Sequence, residues 1–127
     1  MVLNESEVKS KLILAKNLNF SESKIRILDL FVKEVLRYNK KYNLISNSSE
    51  KCIWHRHILD SAQLIKYIDF KNCNSLSDLG SGAGFPGIVL SIFFMDVLTF
   101  HVKLYEKSRV KVKFLNSIKD KLSLNQL

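Results

Sequence analysis

Apolar residues recur at three- and four-residue steps along most of the first 70 positions, and the period then changes. From Glu5 to Leu18 the stripe runs through Val8, Leu12, Ala15 and Leu18, with Ile13 and Leu14 beside it, which predicts a helix. Ser21 stands where a helix cap belongs. Ile25, Leu28, Val32, Val35 and Leu36 come after it at helical spacing, through Tyr38 to about Lys41. A polar break from Asn43 to Ser49, with Ser48 or Ser49 as cap, precedes a third helix over Glu50 to about Tyr67, bent near His57. Lys71 to Asn74 connects it to a different pattern. Ser75–Leu79 reads as a short strand, Gly80–Pro86 as a turn, and Gly87 to about Phe94 as an apolar helix. A second strand runs from about Leu98 to Tyr105. A last helix starts at Glu106–Arg109 and carries Val110, Val112, Phe114, Leu115, Ile118 and Leu122.

A strand–helix–strand–helix run makes the two strands parallel and the fold class α/β. The expected organisation is a helical region over 1–72 followed by a cofactor-binding region over 73–127. Two parallel strands are too few for an independently stable sheet. Leu124–Leu127 reads as a loop heading for another strand, so the expectation is the N-terminal part of a longer enzyme, cut inside its second region.

The chemistry concentrates at the turn. Gly80, Gly82 and Gly84 occupy alternate positions, which lets the backbone take positive φ and lets a ligand approach without meeting a Cβ. Pro86 suits the first helical turn, and the free N–H groups of that turn face whatever lies over the glycines. A dinucleotide fingerprint would place its third glycine where Phe85 stands, which disfavours a dehydrogenase.

The formal charge of +8 changes this picture only slightly. Lysine supplies 16 of the 20 basic residues, a bias that an AT-rich genome also produces, and residues 1–70 and 71–127 carry the same excess. Basicity alone favours RNA weakly. Lys33, Arg37, Lys40 and Lys41 gather at a helix end and read either as a solvated face or as an RNA contact. Glu5, Glu7, Lys9 and Lys11 interrupt any signal peptide, and the uncharged stretch Leu79–Met95 holds all four glycines and the single proline, a poor membrane span. Cys52 and Cys73 have no metal or redox spacing. They read as free, buried structural thiols in a reducing cytoplasm, and no zinc site is expected.

Asp78-x-Gly80-x-Gly82-x-Gly84 resembles the first motif of S-adenosylmethionine-dependent methyltransferases, and Glu106 ends the next strand 22 residues after Gly84. Two further stretches narrow the match, Tyr42-Asn43-Leu44-Ile45-Ser46 and Arg56-His57-Ile58-Leu59-Asp60-Ser61. Together with the loop Asp78 to Ile88 they resemble the ribosomal RNA small subunit methyltransferase G family, also called glucose-inhibited division protein B, from about residue 20 onward. The resemblance implies a Rossmann-like methyltransferase fold, S-adenosylmethionine as donor, and methylation of N7 of a guanine in 16S rRNA of the 30S subunit. It implies cofactor-binding positions at Asp78, Gly80, Ser81, Gly82, Gly84 and Phe85, among which Asp78, Gly82 and Gly84 shape the loop, and a ribose-binding acid at Glu106, where the family usually has Asp. Arg109 aligns with a basic residue of the family, and Asn43, Arg56 and His57 join it as pocket-wall or RNA candidates.

Guanine N7 has no proton to lose, so methylation there needs alignment rather than a general base, and no catalytic acid or base is expected. The bland readings stay beside these. His57 and Asp60 could form a structural pair on one helix face instead of a pocket wall. Arg56 reads as an exposed arginine or a phosphate contact, Asn43 as a turn residue or part of the site mouth, and Trp54 as core or a base-stacking platform. His55 and His101 have no partner pattern. A non-catalytic module that pairs its open sheet edge with another chain is the alternative to an enzyme.

Overall fold

The computed structural model describes residues 4–125 and Leu127. Helix α1 spans Glu5–Asn17 and α2 spans Glu22–Asn39, with the side chains of Asn4 and Ser21 accepting from backbone N–H groups of their first turns. The short α3, Asn47–Glu50, opens a broken helical segment that continues as a π-helical stretch Trp54–Leu59, one α turn α4 at Asp60–Ala62, and a 3-10 stretch Gln63–Tyr67. Strand β1 (Ser75–Leu79), α5 (Gly87–Phe93), β2 (His101–Tyr105) and α6 (Arg109–Lys121) complete the order. The strands pair in parallel from Ser75 opposite His101 to Leu79 opposite Tyr105. The architecture is therefore a helical region joined to a two-stranded parallel sheet.

Several expectations shift. The inward face of α1 is Ser10, Leu14 and Leu18, while Val8, Leu12 and Ile13 are exposed, because α2 and the π stretch approach from the other side of that stripe. The cap before α3 is Ser46, whose hydroxyl accepts from Ser49 N–H, and not Ser48 or Ser49. Helix α2 stops at Asn39. That side chain turns inward, accepts from the N–H groups of Leu44 and Ile45, and donates to Glu50, so it fastens the turn into α3. Strand β2 begins at His101, and Leu98 lies outside it and exposed. Val110 and Val112 stay at the surface while Phe114, Leu115 and Ile118 go into the core. The cysteines are free, but neither is buried: Cys52 is half-buried and Cys73 exposed.

One apolar core runs through both regions, from Leu14, Leu28, Phe31 and Val35 to Ile58, Ile88, Phe114 and Ile118. Trp54 belongs to it, with the Lys11 ammonium 4.7 Å from its ring centroid. A smaller cluster of Phe94, Phe100 and Val102 lies against the same sheet face. Leu76, Asp78, Val102 and Leu104 point to that face, whereas Ser75, Ser77, Leu79, His101, Lys103 and Tyr105 line the open one. Lys24 ties the helices to the sheet unit. Its ammonium donates to Phe93 O at 2.6 Å and to Asp96 at 2.9 Å, at the end of α5 where the helix dipole favours a cation. No helix among the described residues is long and apolar enough to cross a membrane.

Candidate functional site

The loop between β1 and α5 is held from below and open above. Gly80 and Ser81 both donate their N–H to Tyr105 O, at 2.8 and 3.0 Å, and Gly84 donates to Ser81 O. Ser81 is buried, and its hydroxyl donates to Asp78 O at 3.0 Å, so this side chain braces the turn from inside. Gly80 and Gly82 take φ of +78° and +56°, and a Cβ on either would have nothing within 4 Å. Their left-handed backbone thus leaves room on the outer side for a ligand.

Gly84 and Gly87 serve packing. A Cβ on Gly84 would strike Ile88 and come within 3.3 Å of Leu115. One on Gly87 would strike Leu104 and sit 2.8 Å from Asp78 Oδ2. Gly87 brings α5 down onto the sheet, a role that its spacing in the sequence does not mark. A weaker signal does, since a glycine at the start of a helix carries a conformational cost that close approach to a strand can justify. Pro86 takes the cap position before α5 rather than its first turn.

Asp78 is buried at the end of β1, where its Oδ2 accepts Gly87 N–H at 3.0 Å. Burial pushes its carboxyl above the ordinary carboxylate range, and the Gly87 and Ser81 hydrogen bonds oppose that shift. The acid joins strand to helix and faces away from the open side.

Glu106 faces the loop from the end of β2. Its Oε1 accepts Gly82 N–H at 2.9 Å and its Oε2 accepts Ser108 N–H at 2.7 Å. The Ser108 and Gly82 hydrogen bonds hold the carboxyl below its usual range. Each carboxylate oxygen accepts about two hydrogen bonds, so the group keeps acceptor capacity beyond the Gly82 and Ser108 N–H groups.

Phe85 is gripped from the helical region. The His57 ring stacks on it with centroids 4.7 Å apart and planes at 23°, and Phe31 meets it at 5.3 Å. The expected His57–Asp60 hydrogen bond is not formed. The wider turn of the π-helical stretch changes the phase of an i, i+3 pair, Asp60 is exposed, and His57 Nε2 is buried without a hydrogen-bond partner. Burial lowers the His57 pKa, Asp60 opposes and Arg56 adds to the effect. A base depressed in the fold takes up protons on unfolding, so stability falls as pH drops through the ordinary histidine value of ~6.5. A His57→Phe variant, which keeps the stack, is expected to lose less melting temperature than the parent between about pH 7 and pH 5. Equal losses in thermal melts would remove His57 from this account.

Asn43, Arg56 and Arg109 are exposed, and among the described residues none hydrogen-bonds the loop. Arg109 opens α6, three residues after Glu106. No group of three or more His, Cys, Asp or Glu among the described residues could hold a metal.

These features define an α/β protein built around a parallel strand–glycine loop–helix–strand unit, buttressed by an N-terminal helical region. The chain belongs to the rRNA small subunit methyltransferase G family, whose description matches residues 24–127. It is 41% identical over 115 residues to the ribosomal RNA small subunit methyltransferase G of Pelagibacter ubique, covering 88% of this chain and 54% of that protein. The proteins of that name from Bartonella henselae and Rickettsia felis are 43% identical over 94 residues and 56% over 68; these cover 74% and 54% of this chain, and 43% and 35% of theirs. The chain thus spans about half the length, or less, of these relatives.

Proposed function

We propose that this chain carries the donor-binding part of an S-adenosylmethionine-dependent methyltransferase that modifies N7 of a guanine in 16S rRNA of the 30S subunit. The observation that carries the reading is the open cradle over Gly80 and Gly82, with the Glu106 carboxylate beside it. The donor would supply an electrophilic methyl on a sulfonium. Gly80, Gly82 and Phe85 would line its seat in a Rossmann-like unit, and Glu106 would take the ribose hydroxyls through its free acceptor sites. Asp78, Ser81 and Gly84 would keep the loop in shape. Residues 73–127 hold the donor in this reading, and 1–72 buttress the loop through Phe31 and His57. Asn43, Arg56 and Arg109 would stand on the RNA side. Guanine N7 attacks with its own lone pair, so the protein's task is alignment, worth up to ~7–11 kcal/mol, and no general base is required.

Calorimetric titration of the 127-residue chain with S-adenosylmethionine tests the donor seat. Saturable binding that the Gly80→Val variant loses is expected; absence of binding together with concentration-dependent self-association would favour an interaction module using the unpaired strand edges. NADH fluorescence serves as the control ligand.

A further inference from the structure

The C-terminal end of α2 and the C-terminal half of α6 come together with no part in the loop. Glu34 Oε2 accepts from Arg37 at 2.7 Å and from Lys121 at 3.0 Å, so one carboxylate oxygen gathers a cation from each helix. These hydrogen bonds, the Arg37 one first, hold the Glu34 carboxyl below its usual range, so it stays charged and leaves one positive charge over. The exposed Lys40 and Lys41 extend the excess. Aromatic rings run through the cluster. Tyr38 packs on Phe114 of α6 with centroids 5.0 Å apart, and Tyr42 lies 6.1 Å from Tyr38. Arg37 sits 5.0 Å over the Tyr38 ring and Lys41 5.4 Å over that of Tyr42. The other ion pairs among the described residues match each cation with at least one acid: Lys9 with Glu5, Arg26 with Glu22, Lys24 with Asp96, and Lys11 with both Glu7 and Asp29.

We propose that this α2–α6 face holds a single-stranded stretch of the RNA substrate. The inference rests on the rRNA reading above and adds where that partner lies. Cations follow a phosphate backbone whatever its sequence, while tyrosine faces accept unstacked bases that a duplex would not offer. Helix α2 packs Phe31 on Phe85 of the loop, and α6 starts three residues after Glu106 and ends at Lys121, about 18 Å further along at the usual helical rise. The cluster therefore stands a few nucleotides from the donor cradle rather than beside it, on the same two helices that flank the loop.

The test uses the whole 127-residue chain and a fluorescently labelled single-stranded RNA of about 20 nucleotides, read by anisotropy from low to high salt. Three variants are compared with the parent: R37Q/K41Q/K121Q on the face, K9Q/K16Q/K66Q as an equal charge change at exposed lysines elsewhere, and Tyr42→Ala. The substituted cations are all exposed, so folding is retained and is checked by thermal melts. The face triple is expected to bind at least ~10-fold more weakly at about 0.1 M salt, with the slope of log affinity against log salt reduced by about 2. Tyr42→Ala should weaken binding roughly 5-fold or more with the slope unchanged, and the control triple should stay within about twofold. Equal weakening by both triples, no weakening by the face triple, a preference for duplex RNA, or no RNA binding by the parent would each overturn the assignment. Donor titration on the same preparations separates the two claims: intact donor binding with any of those results sinks the face alone, whereas loss of donor binding in the parent sinks the methyltransferase reading beneath it.

Discussion

Replacing Gly87 by alanine is expected to destabilise the chain by about 2–4 kcal/mol, a large part of the ~5–15 kcal/mol that holds an ordinary domain together. The added methyl would strike Leu104 and lie 2.8 Å from Asp78 Oδ2. Leu104 ends in a flexible branch and can yield. Asp78 cannot yield cheaply, because the oxygen that must move is the one that accepts Gly87 N–H at 3.0 Å. The substitution therefore combines overpacking with a buried carboxylate deprived of its donor. Gly80→Ala is the comparison, since a Cβ there meets nothing within 4 Å and only the left-handed φ of +78° opposes it, at about 1–2 kcal/mol. Urea denaturation of both variants reads the difference. Similar midpoints would mean that α5 does not depend on close approach at Gly87.

Glu106→Ala is expected to lower donor affinity by roughly 10- to 100-fold, the range of one or two charge-assisted hydrogen bonds. The effect has two sources. The carboxylate sites left open for hydroxyls disappear, and Gly82 N–H and Ser108 N–H both lose their acceptor. Glu106→Gln separates them, because its single carbonyl oxygen can keep one of those N–H groups and one hydroxyl. An intermediate loss is expected for Gln, read by calorimetry with S-adenosylmethionine. Unchanged affinity in the alanine variant would show that the acid only braces the loop. Glu106 is the residue on which loop and donor would compete or cooperate, and the Gln variant reports which.

The elements that bear the site were readable because each has a local cause. Ser75–Leu79 is a short run that leads straight into glycines, Ser21 caps the helix that starts beside it, and α2 carries one apolar face. The site's internal division was not readable. Four glycines within eight residues look alike in one dimension, yet Gly80 and Gly82 open outward while Gly84 and Gly87 admit neighbours. Which did which depended on Leu104, Ile88 and Leu115, side chains from three separate elements. His57 failed for a related reason. Its pairing with Asp60 presumed an α-helical phase, and the π-helical stretch gave it the Phe85 ring instead. Asn39 sat on the core phase of α2, four residues after Val35, and its role as a turn-fastener emerged only once the turn folded back over it.

Residue order alone decided the α/β class, the parallel strand–loop–helix–strand unit and the membership of a methyltransferase family, because caps, periodicity and a glycine loop are short-range properties. Long-range packing decided the rest. It turned Asp78 inward and left Glu106 outward, clamped Phe85 between two helical segments, and collected Arg37, Lys41 and Lys121 beside two tyrosines. A side chain's direction depends on the groups packed around its backbone, and those neighbours come from distant parts of the chain.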